Sequence, residues 1–154
     1  MPGKTVILDA NLMVLLAVGT ASRSYIAKHK KLKAYGEEDF TLLVDFLSRE
    51  SRVIVTPNTV AETSNIAASI PQPMRTDIYK ALRNLLSDMH ETYIGSHRAA
   101  SDPIFSRLGI TDAALLNIVT KDHILLTADL DLYLEATRRG HRAVNFNHHI
   151  EANR

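Results

Sequence analysis

Four acidic residues each stand beside an apolar segment, and together they could hold a metal ion. Asp9 directly follows the run Val6-Ile7-Leu8, and Asp129 closely follows a second such run. Glu62 and Asp112 fall near the starts of two predicted helices. Carboxylates that share one site repel one another, and a bound cation would offset that repulsion. A ligand set of oxygen atoms selects Mg²⁺ or Mn²⁺, which polarise phosphates and activate water.

Each acid also has a purely structural interpretation. Asp9 could cap a helix over Leu12–Val18, for which Asn11 is the predicted N-cap. Asp112 is predicted in the first turn of a helix capped by Thr111, where the helix dipole stabilises an acid. A further acid, Asp131, lies two residues beyond Asp129, and we expect it to be a solvated charge on a helix.

The predicted elements explain why these acids should meet. Short apolar runs indicate buried strands, and amphipathic or capped segments between them indicate helices. The predicted strands are Val6–Leu8, Val53–Val55, His123–Leu126 and Ala143–Phe146. This alternation predicts an α/β fold with a parallel, doubly wound sheet. Ligands bind beyond the carboxyl ends of such strands, and Asp9 and Asp129 are predicted at those ends.

Two further predictions concern the segments between and after these strands. Thr56 should cap a helix that Pro57 begins, which places Glu62 about one and a half turns from the helix start. Residues 95–101 are predicted to form a loop. The histidines His148 and His149 follow the last predicted strand, and we expect a mobile tail there rather than a transition-metal site.

The composition bounds the class of protein. The chain has 154 residues, of which 45% are hydrophobic and 23% charged, and we expect a single domain over 1–154. It has no cysteine, which excludes disulfides, thiolate ligands and thiol nucleophiles. The N-terminal residues lack the pattern of a signal peptide, and no apolar run is long enough to span a membrane. We therefore expect a soluble, cytoplasmic protein.

A basic segment between Gly19 and Gly36 could contact nucleic acid. It contains Tyr25 and Tyr35 among several cations, and such a mixture can bind phosphates and stack on a base. The lysines predicted to contact RNA are Lys28, Lys30, Lys31 and Lys33. The alternative is a solvated face that binds nothing.

The acidic motifs resemble those of the PIN domain family. The resemblance rests on Leu-Asp-Ala-Asn at 8–11, Val-Ala-Glu-Thr at 60–63, Gly-Ile-Thr-Asp-Ala at 109–113 and Leu-Thr-Ala-Asp at 126–129. These motifs occur in the family's order and cover essentially the whole chain. The resemblance implies a three-layer α/β/α fold with a central, mostly parallel sheet. The basic segment is longer than in the compact toxins of this family.

The same resemblance implies a metal-dependent endoribonuclease, in which water activated by Mg²⁺ or Mn²⁺ attacks an RNA phosphodiester. Asp9, Glu62, Asp112 and Asp129 would be the catalytic metal ligands. Asn11 and Thr127 would orient the ligands or the phosphate. The family includes toxins of VapC-type pairs, so an antitoxin partner and a homodimer are expected as well.

Two other functions compete with this prediction. The first is a PIN-like module that binds RNA or a protein without cleavage, although such a module gains nothing from a cluster of like charges. The second is a phosphoacceptor signalling domain, which also gathers acids around Mg²⁺. That domain needs a lysine at the end of the last strand, and residues 144–147 contain none.

Overall fold

A parallel five-stranded sheet forms the centre of the fold. The computed structural model describes residues 4–50 and 52–154, so the expectation for the extreme N-terminus lies outside the described residues. The strands are β1 (Thr5–Leu8), β2 (Arg52–Val55), β3 (His90–Glu91), β4 (His123–Thr127) and β5 (Ala143–Asn145). Their order is β3-β2-β1-β4-β5, and every neighbouring pair is parallel. The predicted parallel sheet is confirmed.

Helices connect and cover these strands. They are α1 (Ala10–Ala21), α2 (Glu37–Ser48), α3 (Pro57–Ala67), α4 (Met74–Ser87), α5 (Ser96–Ala100), α6 (Phe105–Leu108), α7 (Ile110–Ile118), α8 (Leu130–Arg138) and α9 (Phe146–Ala152). A 3₁₀ helix, Arg23–Lys28, follows α1. Within the described ranges, no helix is long and apolar enough to cross a membrane.

The two faces of the sheet pack against separate helical layers. Along β1, Val6 and Leu8 belong to one apolar core, and Ile7 belongs to the other, because successive side chains of a strand point to opposite faces. Helices α1 to α4 and α9 contribute to the first core, and α5, α7 and α8 contribute to the second. The predicted three-layer α/β/α arrangement is therefore confirmed.

Helix α1 is buried on nearly all sides. Nine of its twelve residues are buried, because the sheet lies on one side and α2, α3, α4 and the 3₁₀ helix surround the others. Such a helix is apolar around its whole circumference rather than along one stripe. The ring of Phe40, from α2, lies directly against the Cα of Gly19, and a Cβ atom at that position would overlap the ring.

Several predicted boundaries were wrong. Helix α1 begins at Ala10, and its N-cap is Asp9 rather than Asn11. Helix α7 begins at Ile110 after Gly109, so Thr111 is not its N-cap. Helix α1 begins earlier than the apolar periodicity indicates because the side chain of Asp9 accepts from the backbone N–H of Leu12. Helix α7 begins directly after Gly109, whose φ of 88° is a conformation that favours glycine.

Three further differences concern the second half of the chain. The two-residue strand β3 was not predicted, and residues 96–100 form helix α5 instead of a loop. The last strand ends at Asn145, whose side chain accepts hydrogen bonds from the backbone N–H groups of Asn147 and His148 at 2.9 and 3.4 Å. This cap starts α9, so the prediction of a mobile tail was wrong.

Substitution of Gly19 by alanine should destabilise the protein. The added methyl group must displace the Phe40 ring inside a close-packed core, which we expect to lower the free energy of unfolding by about 1–3 kcal/mol. Chemical denaturation measures this change. Gly95→Ala is the matched control, because a Cβ atom there meets nothing within 4 Å. Equal stability of the two variants would contradict the described packing.

Candidate functional site

A cleft opens where the strand order of the sheet reverses. The reversal lies between β1 and β4, which pair directly although most of the chain separates them. Ligands bind at this point in open α/β sheets, beyond the carboxyl ends of the strands. The cleft has a volume of ≈ 390 Å³ and is lined by residues that follow β1 and β4, by α3, and by the junction of α6 and α7.

All four acids predicted from the sequence line this cleft. Asp9 and Asp129 follow the two central strands, Glu62 comes from α3, and Asp112 comes from the first turn of α7. The structure thus brings together carboxylates that are up to 120 positions apart in the sequence. Asn11 also lines the cleft, at its exposed rim.

Asp9 is held by three hydrogen bonds and is only 4% exposed. Its Oδ1 accepts from the backbone N–H of Leu12 at 3.0 Å, which caps α1. Its Oδ2 accepts from the Thr127 hydroxyl and from the backbone N–H of Ala128 at 3.1 Å. Burial raises the pKa of Asp9 to about 6, although these hydrogen bonds lower it. Asp9 is therefore both a helix cap and a cleft residue.

Thr127 connects Asp9 to Asp129. Its fully buried hydroxyl donates to Asp9 and accepts from the backbone N–H of Asp129 at 2.9 Å. Asp129 in turn caps α8, because its Oδ1 accepts from the backbone N–H of Leu132 at 3.2 Å. The side chain of Thr127 thus fixes the backbone that positions both acids.

The carboxylate of Asp112 is partly buried and lies among other negative charges. Burial raises its pKa to about 7, and the negative charges of Asp129, Asp9, Glu62 and Asp131 raise it as well. Among the described residues, no hydrogen bond is made to its carboxylate. The protein itself therefore does little to stabilise the charge of Asp112.

The cleft offers no positive side chain to offset these charges. Its described lining contains four acids and no lysine, arginine or histidine. Carboxylates with uncompensated charge are the ligands that Mg²⁺ and Mn²⁺ prefer, so the donor set fits a hard divalent cation. This fit concerns the chemistry of the donors alone: over residues 4–50 and 52–154, no three or more His, Asp or Glu side chains are grouped so that they could hold a metal ion.

The remaining predicted residues do not line the cleft. Asp131 is exposed and does not line the cleft. The four lysines of the basic segment are all exposed, and the segment is anchored by buried Ile26, His29 and Leu32. The rings of His148 and His149 pack against aromatic rings at 5.7 and 5.4 Å between centroids.

A buried ion network positions α8 and was missed from the sequence. Arg139 donates to both oxygens of Asp102 at 2.7 and 2.8 Å, and to Glu135 at 2.7 Å. Glu135 also accepts from Arg138 at 2.9 and 2.6 Å. The spacing of Glu135, Arg138 and Arg139 on a helix could have indicated the local pairs. Nothing in the sequence indicates the contact with Asp102.

We expect Asp112→Asn to stabilise the protein in the absence of divalent cations. The pKa of Asp112 is about 7 in the folded state against 3.8 ordinarily, so the folded protein binds more protons between those pH values. The free energy of unfolding therefore falls as pH rises from about 4 to about 7. The variant should remove most of this slope. Solvent screens the partly exposed group and reduces the roughly 1.4 kcal/mol per pKa unit, so the gain should be on the order of 2 kcal/mol at pH 8. Denaturation at several pH values in EDTA measures it, with exposed Asp131→Asn as the control.

Asp9→Asn should stabilise the protein less than Asp112→Asn does under the same conditions. Both oxygens of Asp9 accept backbone N–H groups, so the new amide nitrogen must face the N–H of Leu12 or that of Ala128. An opposed donor pair costs about 1–3 kcal/mol, which cancels much of the gain from removing the buried charge. An Asp9→Asn protein as stable as Asp112→Asn would show that this hydrogen-bond arrangement is wrong.

Comparison with known proteins adds little to this geometry. No family model matches the sequence, and no curated protein matches it. A solved structure described as a domain of a functionally unknown protein from Methanocaldococcus jannaschii DSM 2661 is similar, with 18% identity and a TM-score of 0.49. The similarity covers 92% of this chain and 90% of that one.

Proposed function

We propose that this protein is an endoribonuclease that depends on Mg²⁺ or Mn²⁺ and acts in the cytoplasm. One observation carries the proposal: four carboxylates line a single cleft at the reversal of the sheet, and no basic side chain lines it with them. If these acids had only a structural role, nothing would offset the burial and the charge repulsion that raise the pKa of Asp112. Strongly perturbed acids in a cleft are typical of functional sites.

Asp9, Glu62, Asp112 and Asp129 would hold the cation. When bound, a hard divalent cation supplies charge neutralisation for a phosphodiester and lowers the pKa of water near neutral pH. The protein would contribute a fixed frame, since Thr127 and the caps of α1 and α8 hold Asp9 and Asp129 in place. A rigid arrangement of ligands lowers the cost of organising the reacting groups.

The residues at the rim would act on the substrate. Asn11 is exposed at the edge of the cleft, and its amide can donate to a phosphate oxygen. Asp112, whose pKa is raised to about 7, is a carboxylate from which the cation would displace a proton near neutral pH. The cleft repels a polyanion on its own, so RNA would enter only where a cation or a neighbouring basic side chain offsets that repulsion.

RNA as the substrate, and a role as the toxin of a toxin–antitoxin pair, rest on the resemblance of the four acidic motifs to the PIN domain family. The toxin role would add an antitoxin protein as a partner, and the family likeness also suggests a homodimer. A small neighbouring reading frame that encodes a binding partner would support the toxin role.

The protein should cleave RNA when Mg²⁺ or Mn²⁺ is present and not when EDTA is present. Asp112→Asn should reduce the rate by ~100-fold or more, because it removes one charge that holds the cation. The exposed neighbour Asp131 is the control, and Asp131→Asn should keep most of the activity. Gel analysis of mixed single-stranded RNAs measures both.

Two results would overturn the proposed function. Wild-type rates in Asp112→Asn would exclude the acids as the catalytic site. RNA binding without cleavage in either metal would favour the other function predicted from the sequence, an RNA-binding module with a PIN-like fold.

Mg²⁺ or Mn²⁺ should also raise the melting temperature of the protein. A cation that binds only the folded cleft stabilises it by mass action, by about 2.7 kcal/mol at a concentration 100 times its Kd. Thermal unfolding with increasing cation should show this shift in the wild type and in Asp131→Asn. Glu62→Gln and Asp112→Asn should show a smaller shift, and an identical response of all four proteins would rule out a shared site.

A further inference from the structure

A second depression adjoins the acidic cleft. Its volume is ≈ 180 Å³, and its lining includes Asn11, Lys31, Tyr35 and Ala128. Asn11 lines the acidic cleft as well, so its side chain stands at the boundary between the two cavities. The backbone N–H of Ala128 donates to Asp9 at 3.1 Å, which places the second depression one residue from the carboxylates.

The depression combines one cation with a small, mainly polar recess. Lys31 is exposed, whereas Val14 and Leu32, which also line the recess, are almost fully buried and Ile66 is half-buried. A recess of this kind beside a cation suits a ribose or the polar edge of a base next to a phosphate. A base can enter it only when it is not held inside a duplex.

The position of Lys31 is set by buried neighbours. His29, two residues before Lys31, is buried. Its Nδ1 accepts from the backbone N–H of Lys31 at 3.2 Å, and its Nε2 lies 3.3 Å from the carbonyl oxygen of Ala67. Leu32, which follows it, is 2% exposed. The backbone of Lys31 is therefore fixed at the depression while its side chain stays free to bind.

Tyr35 forms another wall of the depression. Its ring packs against Phe146 with 6.4 Å between centroids. Burial and the nearby charges of Asp9 and Asp39 raise the pKa of Tyr35 to about 12, so its hydroxyl keeps its proton and can donate a hydrogen bond. Tyr35 therefore contributes a protonated side chain to the lining of the depression.

We propose that this depression binds the nucleotide next to the cleaved phosphodiester of single-stranded RNA. Lys31 contacts the adjacent phosphate, and Asn11 lies between the two phosphates. This inference rests on the proposed function, because the acidic cleft defines where the cleaved bond lies. It also assigns the contact with RNA to one of the four lysines of the basic segment. All four lysines lie in the described part of the chain, and Lys31 alone lines the depression.

Binding of a short single-stranded RNA tests this proposal. The Asp112→Asn protein serves as the parent, so that RNA is not cut in Mg²⁺, and fluorescence anisotropy measures affinity at several salt concentrations. Adding Lys31→Ala should weaken binding about threefold to tenfold and reduce the salt slope by about 0.7. Adding Lys28→Ala or Lys33→Ala, the matched controls, should change affinity by less than about twofold.

A duplex RNA of the same length provides a second control. Its bases cannot enter the depression, so Lys31→Ala should weaken duplex binding no more than Lys33→Ala does. Equal losses for Lys28, Lys31 and Lys33, an unchanged affinity for Lys31→Ala, or no binding by the parent would each overturn the inference.

The two proposals fail in different ways. If the wild type never cleaves RNA but Lys31→Ala alone weakens binding, the depression is a nucleotide site and the nuclease function is wrong. If the wild type cleaves RNA and Lys31→Ala behaves like Lys33→Ala, the nuclease function stands and the depression does not bind the substrate. In the cleaving protein, Lys31→Ala should raise KM while kcat stays near its original value.

Discussion

The carboxylate of Asp9 holds together the two central strands at the edge where the cleft opens. Its oxygens accept from the start of α1 and from the end of β4, so one side chain fixes both elements. Thr127 extends this link to the backbone of Asp129. Two of the four acids therefore hold their positions through hydrogen bonds within the protein. Glu62 and Asp112, which come from α3 and α7, complete the lining of the cleft.

Four buried or half-buried acids of this chain fall into two opposite groups. Asp102 and Glu135 are paired with arginines, which hold the pKa of Glu135 down to about 2 and that of Asp102 lower still. Asp9 and Asp112 have no such partner, and their pKa values are raised. Arginines neutralise the charges of Asp102 and Glu135 within the fold. The charges of Asp9 and Asp112 could be neutralised by a bound ligand. Strain concentrated at one site is the pattern expected where stability has been given up for function.

The sequence was sufficient for the elements with strong local patterns and insufficient for those set by distant contacts. Apolar runs predicted β1, β2, β4 and β5, but β3 has only two residues, which is too short for any periodicity. The cap that starts α9 was missed because Val144-Asn145-Phe146 is equally compatible with a continuing strand. Acids at strand ends could be placed from the sequence. The sequence could not show that Lys31, rather than Lys28, Lys30 or Lys33, lines the second depression, because that depends on which lysine lies beside α1 and α3 in the fold.

The pairing of β1 with β4 has a consequence for how the protein folds. Val6 pairs with Ile124, and Asp9 contacts Thr127. The second neighbour of β1 is therefore formed by residues that lie 118 positions further along the chain. Contacts of such long range close large loops and slow the search for the native state. The segment from β1 to β2 can form early, but the cleft exists only after β4 inserts beside β1. During synthesis, a nascent chain that has not yet reached Asp129 would therefore carry an incomplete set of acids.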